Sequence, residues 1–277
     1  MKLNADSKIL LNSGFEIPRL CLGVFQVVAG QYAKNLIMDA FKSGYRHIDT
    51  AKVYGNERTV GEAVRQCGIP REEIFVTTKL WNSDQGFDTS ISAFNESLKQ
   101  LGLDYIDLFL VHWPLEDVRV ESWKALETLC EGGSLRSIGV SNFMIDHLEE
   151  LIEQSSIIPA VNQVELHPYN YQHRKDLVEF CQSIGTQVEA YAPLTRGQRL
   201  NDQKLVKKAE KYGKTPAQIL IRWSLQKDFI VIPKSANIDR VEENLKVFDF
   251  SIESTDMDEI DHYNEDLIVC WNPAEVV

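Results

Sequence analysis

The stretch IFVTTKLWNSDQGFDTSISAFNESLKQLGLDYIDLFLVH, residues 74–112, contains one complete strand–helix–strand unit. Its two ends, IFVTTK (74–79) and IDLFLVH (106–112), are rich in β-branched and apolar residues, which is typical of strands buried on both faces. Between them, the apolar residues of FDTSISAFNESLKQLG (87–102) recur at helical spacing, and the segment ends in glycine, a common helix stop. A helix between two strands predicts that the strands pair in parallel through a right-handed crossover.

The same unit recurs along the chain. Six further strands are predicted at IPRLCLG (17–23), YRHID (45–49), LRSIGVS (135–141), AVNQVE (160–165), TQVEAY (186–191) and FIVIP (229–233). Further amphipathic helices are predicted at YAKNLIMDAFKSG (32–44), ERTVGEAVRQCG (57–68), VESWKALETLCEGG (120–133) and RKDLVEFCQSIG (174–185). Eight strands alternating with helices predict the α/β class and a (β/α)8 TIM barrel. The leading KILLNSGFEI (8–17) predicts an N-terminal β-hairpin with its turn at residues 12–14.

A doubly wound dinucleotide-binding sheet is the alternative architecture. That fold carries a G-x-G-x-x-G turn after its first strand, and none of the predicted strands is followed by one. The 277 residues match the usual length of one barrel, and no polar or Pro/Gly-rich stretch suggests a linker. We therefore expect residues 1–277 to form a single barrel domain.

Composition and charge argue against several classes of function. The net charge of −12 disfavours binding to nucleic acid or to an anionic membrane, since proteins that bind phosphate-rich surfaces are usually basic. Neither a secretory leader pattern nor an apolar run of membrane-spanning length is found, so we expect a cytoplasmic protein. The five cysteines and the histidines lack the spacing of disulfide frameworks and metal sites, so we expect no bound metal.

Polar residues end several of the predicted strands. Asp49, Lys79 and His112 end three consecutive strands, 30 and 33 residues apart, which is about one strand–helix unit each. In a barrel the carboxyl ends of the strands meet at one rim, which carries the active site. The later units end in Ser141 and Asn142, in Gln163, in Tyr191, and in Lys234 and Ser235. Singly, each has a simpler explanation, such as a helix cap or a surface lysine, but together on one rim they predict a functional site.

Tyr54 follows the strand that ends in Asp49 and is expected near the same rim. A tyrosine with its ordinary pKa of about 10 is a weak proton donor at neutral pH, but a nearby ammonium stabilises the phenolate and lowers that pKa. We expect Lys79 to supply the ammonium, with Asp49 holding it in place. If His112 donates a hydrogen bond to a substrate oxygen, the four residues would protonate a carbonyl group as it is reduced.

These residues lie in six segments that together resemble the aldo-keto reductase family over nearly the whole chain. The segments are HIDTAKVYGNE (47–57), VTTKLW (76–81), LVHWP (110–114), GVSNF (139–143), NQVELHPY (162–169) and IPKSANIDRVEEN (232–244). The resemblance implies a barrel that binds NADPH or NADP+ across its rim and transfers hydride to the carbonyl carbon of a small molecule. It implies that Tyr54 is the general acid, assisted by Asp49, Lys79 and His112.

The resemblance also implies which residues bind the cofactor. Those expected at the nicotinamide are Ser141, Asn142, Gln163 and Tyr191, and Leu194 is expected to contact the cofactor as well. Those expected at the adenosine are Lys234, Ser235 and Arg240 around the 2′-phosphate, and Glu243 and Asn244 around the adenine. A phosphate favours cations and the free N–H groups of a helix start, so this set predicts a preference for NADPH over NADH. In the alternative, Arg240 is a solvated partner of Glu243 on an ordinary helix.

Aromatic residues are expected to line the carbonyl pocket, namely Phe25, Trp81, Trp113 and Trp271, although each could instead belong to the core. The chain departs from the family pattern at Val24, where many members have threonine. The loop APLTRGQRLND (192–202) is short, which predicts fast cofactor exchange, and the short tail of residues 264–277 predicts an open pocket.

Two other functions stay open at this point. A cofactor-binding regulatory subunit with little turnover would keep the same residues. In a lyase or isomerase barrel, Lys79 would instead form a Schiff base with the substrate. From the resemblance we expect a monomer that acts on small carbonyl compounds.

Overall fold

The computed structural model describes residues 3–271 and has the architecture expected from the sequence. The strands are β1 (Lys8–Leu10), β2 (Glu16–Pro18), β3 (Leu22–Gly23), β4 (His47–Asp49), β5 (Phe75–Leu80), β6 (Ile106–Val111), β7 (Leu135–Ser141), β8 (Val161–Glu165), β9 (Gln187–Tyr191) and β10 (Ile230–Ile232). The α-helices are α1 (Gln31–Ser43), α2 (Glu57–Gln66), α3 (Phe87–Leu101), α4 (Arg119–Glu131), α5 (Ile145–Glu153), α6 (Tyr171–Ser183), α7 (Gln203–Tyr212), α8 (Pro216–Gln226), α9 (Ile238–Leu245) and α10 (Ser254–Asp261).

Strands β3 to β10 form one parallel sheet in chain order, each hydrogen-bonded to the next. Two isolated parallel bridges, Leu20 with Val231 and Gly23 with Lys234, bring the beginning of the sheet beside its end and nearly close the barrel. The (β/α)8 prediction is therefore confirmed. The carboxyl ends of all eight strands consequently meet at one rim, where the candidate residues were expected.

The N-terminal hairpin is confirmed as well, and it changes one strand prediction. β1 and β2 pair antiparallel, and Gly14 closes the turn with φ +85° by donating its N–H to the carbonyl of Leu11. The predicted barrel strand 17–23 starts too early, because residues 16–18 pair with β1 and only Leu22–Gly23 is regular barrel strand. Residues 16–23 thus contribute first to the hairpin and then to the barrel sheet.

The hairpin covers the amino ends of the barrel strands. One buried apolar cluster joins Ile9, Leu11 and Ile17 of the hairpin to side chains at the strand starts, including Phe75 and Val161. A larger cluster fills the layer between the strands and the surrounding helices. Since one end of the barrel is packed with apolar side chains, the polar side chains inside it are gathered toward the other end.

Some predictions extend past the described range. Residues 1–2 and 272–277 lie outside it, so the single domain over 1–277 and the last part of the predicted tail 264–277 stay predictions. Among residues 3–271, no helix has both the length and the apolar composition that crossing a membrane requires.

Gly61 on α2 offers a test of the helix packing. A Cβ at this position would lie 1.7 Å from the carbonyl oxygen of Leu101 at the end of α3, so the two helices must move apart. Helix propensity alone would make Gly61→Ala stabilising by up to about 1 kcal/mol. We expect overpacking to reverse that sign and destabilise the protein by about 1–3 kcal/mol. Thermal unfolding should show a lower Tm for Gly61→Ala and a nearly unchanged Tm for the control Arg58→Ala, on the exposed face of α2.

Candidate active site

A buried ion pair lies near the carboxyl ends of β4 and β5. Nζ of Lys79 donates hydrogen bonds to Oδ2 of Asp49 at 2.6 Å and to the carbonyl oxygen of Thr50 at 2.8 Å. Lys79 is fully buried, so it is not a surface lysine. Burial is the largest single effect and opposes the charged amine, but the charge and hydrogen bond of Asp49, together with contributions from Tyr54 and Glu189, outweigh it and raise the pKa of Lys79 above its usual value. Lys79 is therefore an ammonium at neutral pH.

Tyr54 lies beside this ion pair, on the short helical turn Lys52–Tyr54 that follows β4. Its ring centroid is 5.1 Å from Nζ of Lys79. Lys79 lowers the pKa of Tyr54, as expected, but the net pKa is nevertheless raised. Burial of the phenol raises its pKa by more than the ammonium lowers it, and the charge of Asp49 adds to the rise. Tyr54 is consequently protonated at neutral pH.

His112 follows β6 and is buried. Burial, and then the charge of Lys79, lower the pKa of His112 well below its usual range, so its imidazole ring is neutral. Its centroid is 6.1 Å from that of Tyr54, and its Nδ1 has no hydrogen-bond partner among the described residues. A neutral imidazole still has one N–H to donate. The ring can therefore bind a carbonyl oxygen without bringing a charge to it.

The structure brings together the aromatic residues expected at the pocket, Phe25, Trp81, Trp113 and Trp271. The ring centroid of Phe25 is 5.0 Å from that of Tyr54, and the centroid of Trp81 is 5.2 Å from that of His112. Trp113 is nearly parallel to His112 at 6.5 Å, and Trp271 lies 5.9 Å beyond Trp113. These rings place apolar surface around Tyr54 and His112.

Glu189 is a buried carboxyl group that the sequence reading missed. The amide nitrogen of Gln163 donates to Oδ2 of Asp49 at 2.9 Å and to Oε2 of Glu189 at 2.8 Å, so it bridges two carboxyl groups. Burial, and then the charge of Asp49, raise the pKa of Glu189 to about 8. A signal was present, because Glu189 is two residues before Tyr191 and alternate residues of a strand share one side.

The residues expected at the nicotinamide form one hydrogen-bonded group. The hydroxyl of Ser141 donates to the backbone carbonyl of Gln163 at 3.0 Å. The amide of Asn142 donates to the carbonyl of His112 at 3.0 Å, and the hydroxyl of Tyr191 donates to Oδ1 of Asn142 at 2.8 Å. Asn142 has φ +67°, a conformation that asparagine tolerates better than most residues. These contacts hold the side chains at the rim, while their role toward a cofactor stays a prediction.

Leu194 lies in the loop after β9, half-buried against the core. It therefore lies near the rim, just beyond Tyr191, and its expected contact with a cofactor stays a prediction.

Positive charges gather beyond β9 and β10. Burial lowers the pKa of Lys234, and the positive charges of Arg196 and Arg240 lower it further. Arg196, in the loop of residues 192–202, was not among the residues predicted to bind the cofactor. Ser235 is buried and accepts a hydrogen bond from the N–H of Asn237, shaping the turn before α9. This group of cations can bind an anion such as a phosphate.

Glu243 and Asn244 lie on α9, behind the cationic group. Oε1 of Glu243 accepts a hydrogen bond from the hydroxyl of Thr215 at 2.7 Å, rather than pairing with Arg240 as in the simpler alternative. Asn244 is buried beside it. Their expected contact with an adenine stays a prediction.

Comparison with known proteins relates this chain to one family. The chain matches the Aldo/keto reductase family over residues 19–265. It is 46% identical over 277 residues to the glyoxal reductase of Bacillus subtilis (strain 168), covering 100% of both chains. An aldo-keto reductase from a Medee basin deep-sea metagenome library superposes with a TM-score of 0.93 at 44% identity, covering 98% of this chain and 100% of that one. The aldo-keto reductase of Bombyx mori, solved in complex with NADP, gives a TM-score of 0.88 at 38% identity, covering 95% and 94%.

The buried Glu189 predicts a pH-dependent loss of stability. Its pKa in the folded protein, about 8, lies above the ordinary glutamate value of about 4.3, so the folded state binds the proton more tightly. Stability should therefore fall as pH rises between these two values. Glu189→Gln stays neutral and should raise the Tm at pH 9, by about 4 °C or more, but much less at pH 5. The exposed Glu179→Gln on α6 is the control, and an equal gain at both pH values would contradict the assignment.

Proposed function

This chain belongs to the aldo/keto reductase family, and we propose that it is an NADPH-dependent reductase that converts aldehydes and ketones to alcohols by reversible hydride transfer. Family membership makes it an oxidoreductase. The observation that carries the finer proposal is the convergence of a protonated Tyr54, an ammonium at Lys79 and a neutral His112 on one rim. That combination suits a reaction in which a carbonyl oxygen gains negative charge and then a proton.

Tyr54 is the general acid of this proposal. As hydride reaches the carbonyl carbon, the phenol donates its proton to the carbonyl oxygen, which becomes the alcohol hydroxyl. The raised pKa of Tyr54 keeps the proton on the phenol until that oxygen becomes basic. The ammonium of Lys79 then stabilises the phenolate that remains, and Asp49 holds the ammonium at 2.6 Å. In the reverse direction the phenolate accepts the proton of the alcohol.

His112 orients the carbonyl group. Its neutral imidazole donates an N–H to the carbonyl oxygen, so the oxygen lies between the imidazole and the phenol of Tyr54. The low pKa of His112 keeps a second positive charge away from Lys79. The imidazole of His112 therefore orients the carbonyl group, and the phenol of Tyr54 supplies the proton.

The residues present fit a nicotinamide cofactor with a phosphorylated adenosine. Arg196, Lys234 and Arg240 supply the positive charge that a 2′-phosphate needs, and Ser235 adds a hydroxyl beside them. When bound, the cofactor supplies the hydride. Toward its nicotinamide end we assign Ser141, Asn142 and Gln163 to the carboxamide, Tyr191 to the ring face, and Leu194 to a flanking contact. The adenine is assigned to Glu243 and Asn244.

The substrate class follows from the aromatic rings of the pocket. Phe25, Trp81, Trp113 and Trp271 offer apolar surface to the carbon chain of an aldehyde or ketone, and the polar groups meet only its oxygen. The similarity to a glyoxal reductase makes small dicarbonyls the first compounds to try. As the resemblance to the family implies, we propose that the protein acts on these small molecules as a monomer.

Replacing Tyr54 tests the proposal directly. Tyr54→Phe removes the acidic proton and leaves the ring, so we expect the kcat for an aldehyde to fall about 10²- to 10⁴-fold while the Kd for NADPH stays within about twofold. NADPH oxidation followed by absorbance, and fluorescence titration of the binding, give the two values. Tyr105→Phe, at the opposite end of the barrel, is the control and should keep full turnover.

Turnover retained by Tyr54→Phe would remove this residue from the acid role. NADPH binding by the wild-type protein without turnover of any aldehyde or dicarbonyl would favour the regulatory subunit instead.

Replacing Arg240 tests the cofactor preference. Arg240→Ala should raise the Kd for NADPH about tenfold or more, since hydrogen bonds to a charged group contribute about 1.5–3 kcal/mol, and leave the Kd for NADH nearly unchanged. Lys246→Ala, exposed at the other end of α9, is the matched control. Equal weakening of both cofactors would show that Arg240 does not bind the 2′-phosphate.

A further inference from the structure

Glu165 at the end of β8 is a buried carboxyl group that the proposed chemistry does not use. Its Oε1 accepts the backbone N–H of Val269 at 2.7 Å, and its Oε2 accepts the backbone N–H of Cys270 at 2.9 Å. One carboxylate thus binds two consecutive amides that lie more than a hundred residues away along the chain. A buried carboxylate needs such donors, so the contact holds both partners in place.

The contact requires Glu165 to be charged. Burial alone would raise the pKa of this carboxyl group, but hydrogen bonds from His167 and from the two tail amides outweigh burial and lower it. His167 approaches Oε1 at 3.1 Å through its Nε2. The carboxylate is therefore ionised at neutral pH, and hydrogen bonds to an ionised acceptor are about twice as strong as neutral ones.

Residues 264–271, here called the tail segment, have a second attachment nearby. The backbone N–H groups of Glu265 and Leu267 both donate to the carbonyl of Tyr169, in the loop after β8. The side chain of Glu265 also pairs with Arg199, at the surface. The first part of the segment is thus held by Tyr169, and the last part by Glu165.

The last residue of the tail segment depends on this anchor. The ring of Trp271 lies 5.9 Å from Trp113, which in turn stacks 6.5 Å from His112. Trp271 is nevertheless 71% exposed, so its own burial does little to fix its position. Glu165 binds the backbone of Val269 and Cys270, and this contact sets the position of the Trp271 ring.

We propose that Glu165 is a positioning residue for the substrate pocket, which anchors the tail segment so that Trp271 forms an outer wall of the pocket beside Trp113. This inference rests on the proposed function, since the wall matters only if a carbonyl compound binds at His112. Trp113 lies between this wall and His112, so the wall is not in contact with the reacting oxygen. It should therefore contact the substituent of a bulky aromatic aldehyde and miss a small dicarbonyl.

A double-mutant cycle tests this role. Glu165→Gln keeps the size of the side chain but places its own N–H donors against one of the two backbone N–H groups, which then loses its acceptor. Trp271→Ala removes the wall itself. Each should raise the KM for benzaldehyde about tenfold, with kcat and the KM for methylglyoxal changed less than about twofold. Because both act through one contact, the double variant should be no worse than Trp271→Ala alone.

Matched variants separate this role from a general loss of structure. Glu265→Gln removes the other carboxylate that ties down the tail segment, at its exposed pair with Arg199, and should leave both KM values unchanged. If Glu165→Gln does not fold, Val269→Pro removes one anchored N–H and leaves the buried carboxylate intact. An additive double variant, an equal rise in KM for both aldehydes, or an unchanged KM in Val269→Pro would each overturn the proposal.

Amide hydrogen exchange gives a readout that does not depend on turnover. In Glu165→Gln, exchange of the peptide covering 264–271 should accelerate about tenfold or more, and in Glu265→Gln it should not. If the wild-type protein reduced no carbonyl compound, the reductase proposal would fail, while this measurement would still decide whether Glu165 anchors the tail segment. Unchanged exchange in Glu165→Gln would overturn the anchor itself.

Discussion

The ion pair between Lys79 and Asp49 is the constraint on which the rest of the site depends. Both side chains are buried, and a buried charge is tolerated only when it is paired and hydrogen-bonded. The pair therefore requires two neighbouring strands in fixed register, with a backbone carbonyl and the amide of Gln163 completing its contacts. A buried ion pair is a weak source of stability, so its position beside Tyr54 favours a chemical role.

The fold separates an apolar end of the barrel from a polar end. The isoleucines of the hairpin pack against the amino ends of the barrel strands, so this end of the barrel excludes water. The charged groups lie toward the carboxyl ends of the strands. Burial is the largest cause of the raised pKa of Tyr54 and Glu189 and of the lowered pKa of His112. The phenol of Tyr54 stays protonated and the imidazole of His112 stays neutral for the same physical reason.

The charge of the molecule and the charge of its site differ in sign. The chain carries a net charge of −12, yet Arg196, Lys234 and Arg240 lie close enough together to lower the pKa of the lysine. Such a local group can bind one phosphate while the surrounding surface repels polyanions. The loop that supplies Arg196 also lies near the tail segment, since this arginine donates to the carbonyl of Val269 at 3.4 Å. The group of cations and the tail segment are therefore adjacent on the rim.

The sequence by itself determined the order of strands and helices, and with it the rim on which Asp49, Lys79 and His112 meet. Apolar runs, helical spacing and strand-end positions are local patterns, and a parallel barrel turns them into neighbours without further information. The net pKa of Tyr54, the neutral Glu189 inside β9 and the capture of the tail amides by Glu165 were decided only by the tertiary structure. Each depends on burial, or on contacts between residues that are distant along the chain, and neither quantity can be read from spacing. The start of the first barrel strand was decided in the same way, because residues 16–18 pair with β1 in the hairpin and not with the barrel sheet.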